Sequence, residues 1–80
     1  MFERFRPLKC REVRQVLERH FDFVCTGQKG LHEQYEKIVD GRKYKVTVDC
    51  HGGEVKAMDV RPIISQAGLT KSEFYAAFKK

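Results

Sequence analysis

Two β-prone runs, residues 32–39 (HEQYEKIV) and 42–48 (RKYKVTV), are separated only by Asp40 and Gly41. The central residues of the tightest hairpin turns need positive φ, which Asp and Gly tolerate, so an Asp-Gly pair here is a strong local hairpin signal. A two-residue turn also fixes the register. Val39 then faces Arg42, Ile38 faces Lys43, Glu36 faces Lys45, Gln34 faces Thr47 and His32 faces Asp49. Because side chains alternate between faces, Tyr35, Tyr44, Val46 and Val48 share one face and pack on helices. His32, Gln34, Glu36, Lys43, Lys45, Thr47 and Asp49 share the other, which is exposed. Glu33 and Lys37 fall on the apolar face, which places them at its rim or calls for a bulge in one strand.

The rest of the chain reads around this hairpin. From Lys9, residues Val13, Val16, Leu17, His20 and Phe21 recur at helical spacing, opposite Arg11, Glu12, Arg14, Gln15, Glu18 and Arg19. That is an amphipathic helix approached through Pro7. Residues 21–26 (FDFVCT) are β-prone, and Gly27 and Gly30 bracket a turn before the hairpin. His51, Gly52 and Gly53 end the last strand, and a polar loop leads to Asp59, an N-cap that puts Pro62 in the first turn of a helix. Ile63, Ile64 and Ala67 give that helix its buried stripe, and Gly68 ends it. Thr70-Lys71-Ser72-Glu73 is a capping box opening a further helix with Phe74 and Phe78 one turn apart. The expected order is αβββαα, an α+β fold with a three-stranded antiparallel sheet against helices. No repeat or linker divides residues 1–80, so one domain is expected.

Sixteen Lys and Arg against eleven Asp and Glu give a net charge of +5, which suits a polyanionic partner, nucleic acid or an acidic protein. Eighty residues leave little material for a deep pocket, so any chemistry belongs on an open surface. Residues 1–8 lack the apolar run of a signal peptide, and no stretch is long enough to span a membrane. Cys10, Cys25 and Cys50 are widely spaced and odd in number, and read as reduced thiols of a cytoplasmic protein. A zinc site from Cys25, Cys50, His51 and His32 lacks the close ligand pairs such sites use. No metal or cofactor is expected.

The strings Q-K-G-L-H-E-Q-Y, D-G-R-K-Y-K-V-T-V, H-G-G-E-V-K and I-I-S-Q-A-G-L-T-K-S-E-F, taken in order over residues 12–74, resemble the HicA family of toxin ribonucleases. The resemblance implies a fold like that of double-stranded RNA-binding domains, cleavage of mRNA within a type II toxin-antitoxin system, and neutralisation by a HicB-like antitoxin. It also implies that His32, in Gly30-Leu31-His32 at the start of the second strand, is the catalytic residue. The chain departs from the pattern at Leu31, where serine is usual, and at Asp49 and Cys50, where a proline and a basic residue commonly precede the histidine. Residues 1–8 extend beyond what members need.

Histidine exchanges a proton near neutral pH, and Asp49, opposite His32, is suited to orient its ring. His51 reads either as a second proton-transfer group or as a phosphate contact beside two glycines. Lys29, Lys43, Lys45 and Arg42 are the candidate phosphate track. His20, Tyr35 and Tyr44 read as structural, and Arg11, Arg14 and Arg19 as a solvated face. The residues leave three readings open: a ribonuclease, a non-catalytic RNA-binding module that reads duplex shape, and a protein-interaction domain.

Overall fold

A computed structural model describes residues 5–78. Strand β1 (Leu8–Lys9) leads into helix α1 (Cys10–Gln15), which continues as a wider π-helical segment, Val16–His20. Strands β2 (Val24–Lys29), β3 (His32–Val39) and β4 (Arg42–Asp49) form an antiparallel sheet in the order β2-β3-β4. The short β5 (Glu54–Val55) pairs back with β1, and α2 (Ala57–Gln66) and α3 (Lys71–Phe78) complete the chain. The α+β class and the order αβββαα stand as the sequence indicates, with β1 and β5 added. Of the extension 1–8, residues 1–4 lie outside the described residues and Leu8 belongs to β1.

The hairpin has the register that its turn dictates, from Val39 opposite Arg42 to His32 opposite Asp49 without interruption. Asp40 and Gly41 both take positive φ, 52° and 78°. Tyr35, Val46 and Val48 are buried, with Val13 of α1, Leu17 of the π-helical segment, Val60 and Ile63 of α2, and Phe74 of α3. Removing such side chains from water contributes about 1.5–3 kcal/mol each. Among the described residues no helix covers the opposite sheet face.

Several expectations change. The first strand starts at Val24, because Asp22 turns the chain out of the helix with φ 61°. Gly27 lies inside β2 at a bulge between Cys25 and Gly27, so the turn before the hairpin is Gly30-Leu31 alone. Helix α2 begins at Ala57, which leaves Asp59 inside its first turn and Pro62 inside the helix. The C-terminal signals hold. Thr70 Oγ1 accepts from the Glu73 N–H at 3.1 Å, and Glu73 Oε1 accepts from the Thr70 N–H at 2.8 Å. Gly68 has φ 73°, and a Cβ there would lie 2.6 Å from the Tyr44 ring.

The largest correction concerns Glu33. The β3–β4 ladder has no bulge, and Glu33 lies in the core at 5% exposure rather than at its rim. Burying a carboxylate requires partners. Arg14, expected on a solvated face, supplies them: its Nε donates to Oε1 at 2.8 Å and its Nη2 to Oε2. The Tyr35 hydroxyl donates to Oε1 at 2.8 Å. Arg14 thereby holds the Glu33 carboxyl below its ordinary value, against the opposing effect of burial. Burial, reinforced by the Glu33 carboxylate, pushes the Tyr35 phenol up.

Arg14→Leu should destabilise the protein by about 2–3 kcal/mol in urea unfolding at neutral pH. That lies below the figure for fully enclosed pairs, because the Arg14 side chain is 41% exposed. A loss under half a kcal/mol, roughly the ordinary surface value, would show that the pair contributes little. Since the folded-state Glu33 value is depressed, its contribution is complete above the unfolded value of about 4.5 and fades as pH falls through the lower folded value. Glu33→Gln should therefore flatten the acid limb of stability against pH; an unchanged limb would assign acid sensitivity to other carboxylates.

Candidate functional site

The open sheet face ends in a row across all three strands. Lys29 of β2 pairs in register with His32 of β3, which pairs with Asp49 of β4. Partners in an antiparallel ladder share a face, so these side chains project together. His32 follows directly on the Gly30-Leu31 turn, in which Gly30 has φ 59°. The Leu31 carbonyl accepts from the Cys50 N–H at 2.9 Å, tying that turn to the end of β4.

Beyond β4 the expected loop is instead a tight hairpin. His51 and Glu54 exchange backbone hydrogen bonds of 2.8 and 2.9 Å around Gly52 and Gly53, whose φ values are 58° and 82°. Two successive positive φ values are what a type I′ turn needs, and glycine meets that need without strain. The turn holds the backbone of His51, two residues beyond Asp49, against Glu54. His51 Nε2 is 3.1 Å from Asp49 Oδ1, and His32 Nε2 is 3.5 Å from the same oxygen. That oxygen is buried and accepts no aligned hydrogen bond. The histidine side chains are 58% and 41% exposed, so both rings are open to a macromolecular ligand.

This corner is anchored from behind. Cys50 is buried and joined to Cys10 at the start of α1, their Cα atoms 6.1 Å apart, a separation that a disulfide spans. Cys10 N–H donates to the Gly53 carbonyl at 3.0 Å, and β1 pairs with β5 just beyond. Three unpaired thiols are thus corrected to one pair and one exposed free cysteine, Cys25. The sequence separation of 40 between Cys10 and Cys50 hid their proximity from the sequence. Cys50, held by Cys10, is not available to a zinc site with Cys25, His32 and His51. Among the described residues no group of three or more His, Cys, Asp or Glu is placed to hold a metal ion.

The basic residues are more dispersed than the sequence suggests. Lys29 lies in the His32 row. Lys45 and Lys43 share the His32 face, but at roughly 3.4 Å per residue they lie about 14 and 20 Å along the hairpin from it. Lys43 Nζ is 3.1 Å from Glu36 Oε1, and that contact holds the Glu36 carboxyl below its ordinary value, with the Lys45 charge adding to it. Arg42, at the tip, belongs to the opposite face and lies over the Tyr44 ring, 5.1 Å from its centroid. His20 is exposed, near Phe21.

Two features escaped the sequence reading. Val24 and Ile38 are 64% and 70% exposed on the same face as Lys43, and strand parity alone would have placed Ile38 there. The Arg14–Glu33 pair was signalled only by a charge on an apolar face.

The chemistry within reach is proton exchange by two imidazoles about one carboxylate, on a surface with cations at one edge and along one strand. No described helix is long and apolar enough to cross a membrane. Searches of curated proteins and of solved structures returned no match. The family model described as HicA toxin of bacterial toxin-antitoxin matches residues 10–69, from the start of α1 through α2, and includes every residue of the row and the turn. The chain therefore belongs to the HicA family, the toxin side of bacterial toxin-antitoxin pairs, and has an antitoxin as its expected partner.

Proposed function

We propose that this chain is an endoribonuclease that cleaves mRNA, with His32 as the residue that moves the proton, in a type II pair with a HicB-like antitoxin. The observation that carries the reading is the position of His32, solvent-open at the head of β3 between Lys29 and Asp49. The RNA 2′-hydroxyl attacks the adjacent phosphorus, and the imidazole takes up or delivers a proton during that step. Lys29, in the same row, stabilises charge developing on the phosphoryl oxygens. Lys43 and Lys45 hold phosphates of the flanking strand, whereas Arg42, on the opposite face, is set aside from that track, and His51 contacts the phosphate nearest the row.

The basic face also suits an acidic antitoxin surface, and occupation of that face by protein would exclude RNA. Action on mRNA places the protein in the cytoplasm, where cysteine pairs are generally reduced. Reduction of Cys10–Cys50 would leave the Cys10 to Gly53 hydrogen bond and the β1–β5 pairing to hold the same corner.

Purified protein should cleave single-stranded RNA in the presence of a chelator, leave a cyclic phosphate end, and spare DNA, which lacks the 2′-hydroxyl. Folded His32→Ala should lose about a hundred- to ten-thousandfold in rate. A fully active His32→Ala protein would remove His32 from the reaction. Tight RNA binding with no cleavage would leave the non-catalytic module in its place.

Binding should weaken steeply with salt, since each neutralised phosphate releases counterions. Replacing Lys43 and Lys45 with alanine should lower the slope of log affinity against log salt by about 1.4, at roughly 0.7 per single-strand phosphate. Glu36→Gln frees Lys43 and should tighten binding. Slopes unchanged in the double variant would move the RNA track away from the hairpin.

A further inference from the structure

We propose that His51 is a second catalytic residue, and that His32 and His51 work as an acid–base pair positioned by the Asp49 carboxylate between them. This inference rests on the ribonuclease reading and extends it from one proton-transfer group to two. Asp49 Oδ1 lies 3.5 Å from His32 Nε2 and 3.1 Å from His51 Nε2, so both rings turn the same nitrogen toward one oxygen. That oxygen is withdrawn from water yet lacks an aligned hydrogen bond. A buried carboxylate oxygen in that condition is costly, and the imidazoles are the donors within reach.

The surrounding structure gives His51 a fixed place rather than a loop position. Its backbone is clamped to Glu54 through the Gly52-Gly53 turn, and the preceding Cys50 is tied to both Leu31 and Cys10. His32 and His51 therefore reach Asp49 from separate backbone segments, β3 and the turn after β4. Anchoring Nε2–H on Asp49 leaves Nδ1 of each ring free to exchange a proton with substrate.

Cleavage then balances within the pair. One neutral ring takes the proton of the 2′-hydroxyl as the bond from O2′ to phosphorus forms. The bond from phosphorus to O5′ breaks, and the departing O5′ takes a proton from the other, protonated ring. The products are a 2′,3′-cyclic phosphate and a 5′-hydroxyl, and the rings have exchanged protonation states. Asp49 offsets the positive charge carried by whichever ring is protonated, which makes it a positioning residue for both.

The test uses an RNA oligonucleotide with a normal linkage and one with sulfur in place of the bridging 5′ oxygen, a leaving group that departs without a proton. On the normal linkage, His32→Ala and His51→Ala should each lose about a hundredfold or more while remaining folded. On the sulfur linkage, one of the two should recover most of that loss and thereby be marked as the acid, while the other remains slow. A fully active His51→Ala protein beside an inactive His32→Ala protein overturns this inference and leaves the ribonuclease reading intact. Recovery of neither variant, or of both, also overturns it. Nitrogen NMR of the rings, at a pH well above the histidine range, gives a readout independent of cleavage. Asp49→Asn should move the ring-nitrogen signals of both His32 and His51; movement of one or neither overturns the shared carboxylate.

Discussion

The two-residue turn at Asp40 and Gly41 decides which side of the sheet every residue from His32 to Asp49 occupies. Side-chain direction alternates along a strand, so a shift of one residue would exchange the two faces. Val46 and Val48 would then meet water, and His32 would be committed to a different surface. The buried face makes such a slip expensive, because Tyr35, Val46 and Val48 all contact the helices. The same constraint thus forms the core and exposes the histidine row on the other side, and nothing in the row has to be stabilised by itself.

Among the described residues one buried charge breaks the polarity of that arrangement. Glu33 lies beside His32 in sequence and faces the core, where Arg14 and the Tyr35 hydroxyl satisfy it. An apolar residue in its place would serve burial as well or better, since a buried ion pair often breaks even or loses against hydrophobic packing. What the pair adds is direction. A two-pronged guanidinium contact has one good geometry, and it couples the turn of α1 bearing Arg14 to the start of β3. Arg14 Nη2 also lies 3.6 Å from Cys50 Sγ, so the residue following Asp49 touches the same side chain. The strand carrying His32 and the segment carrying Asp49 and His51 are thereby referred to a single helix.

Local chemistry was legible in the sequence wherever a few neighbouring residues determine the outcome. The hairpin register, the Thr70–Glu73 capping box and the Gly68 terminus all depend on interactions within three or four residues. Non-local pairings were not legible. Nothing near Cys10 announces Cys50, nothing near Leu8 announces Val55, and Arg14 resembles any other arginine on a polar helix face until Glu33 is found beneath it. For the candidate site, parity correctly placed His32, Asp49, Lys43 and Lys45 on one face. It carried no distance, so the sequence grouped Lys43 and Lys45 around His32 although Lys45 lies at the Glu36 pair and Lys43 at the Ile38 pair, farther along the ladder. The clamping of the His51 backbone to Glu54 depends on the φ values of two glycines, which a string of letters shows only as a break.

Position 49 shows how one substitution can change the character of an otherwise recognisable site. The family pattern commonly has proline there, a residue without a side-chain acceptor and without an N–H for the ladder. Asp49 keeps its place at the end of β4, opposite His32, and adds an oxygen between two imidazoles. A domain this small has little material to enclose a deep site, so side chains that meet a macromolecule are oriented by short contacts on an open sheet. A carboxylate shared by two rings from different backbone segments is an economical way to do so, because fixing either ring against Oδ1 also limits where the other can go.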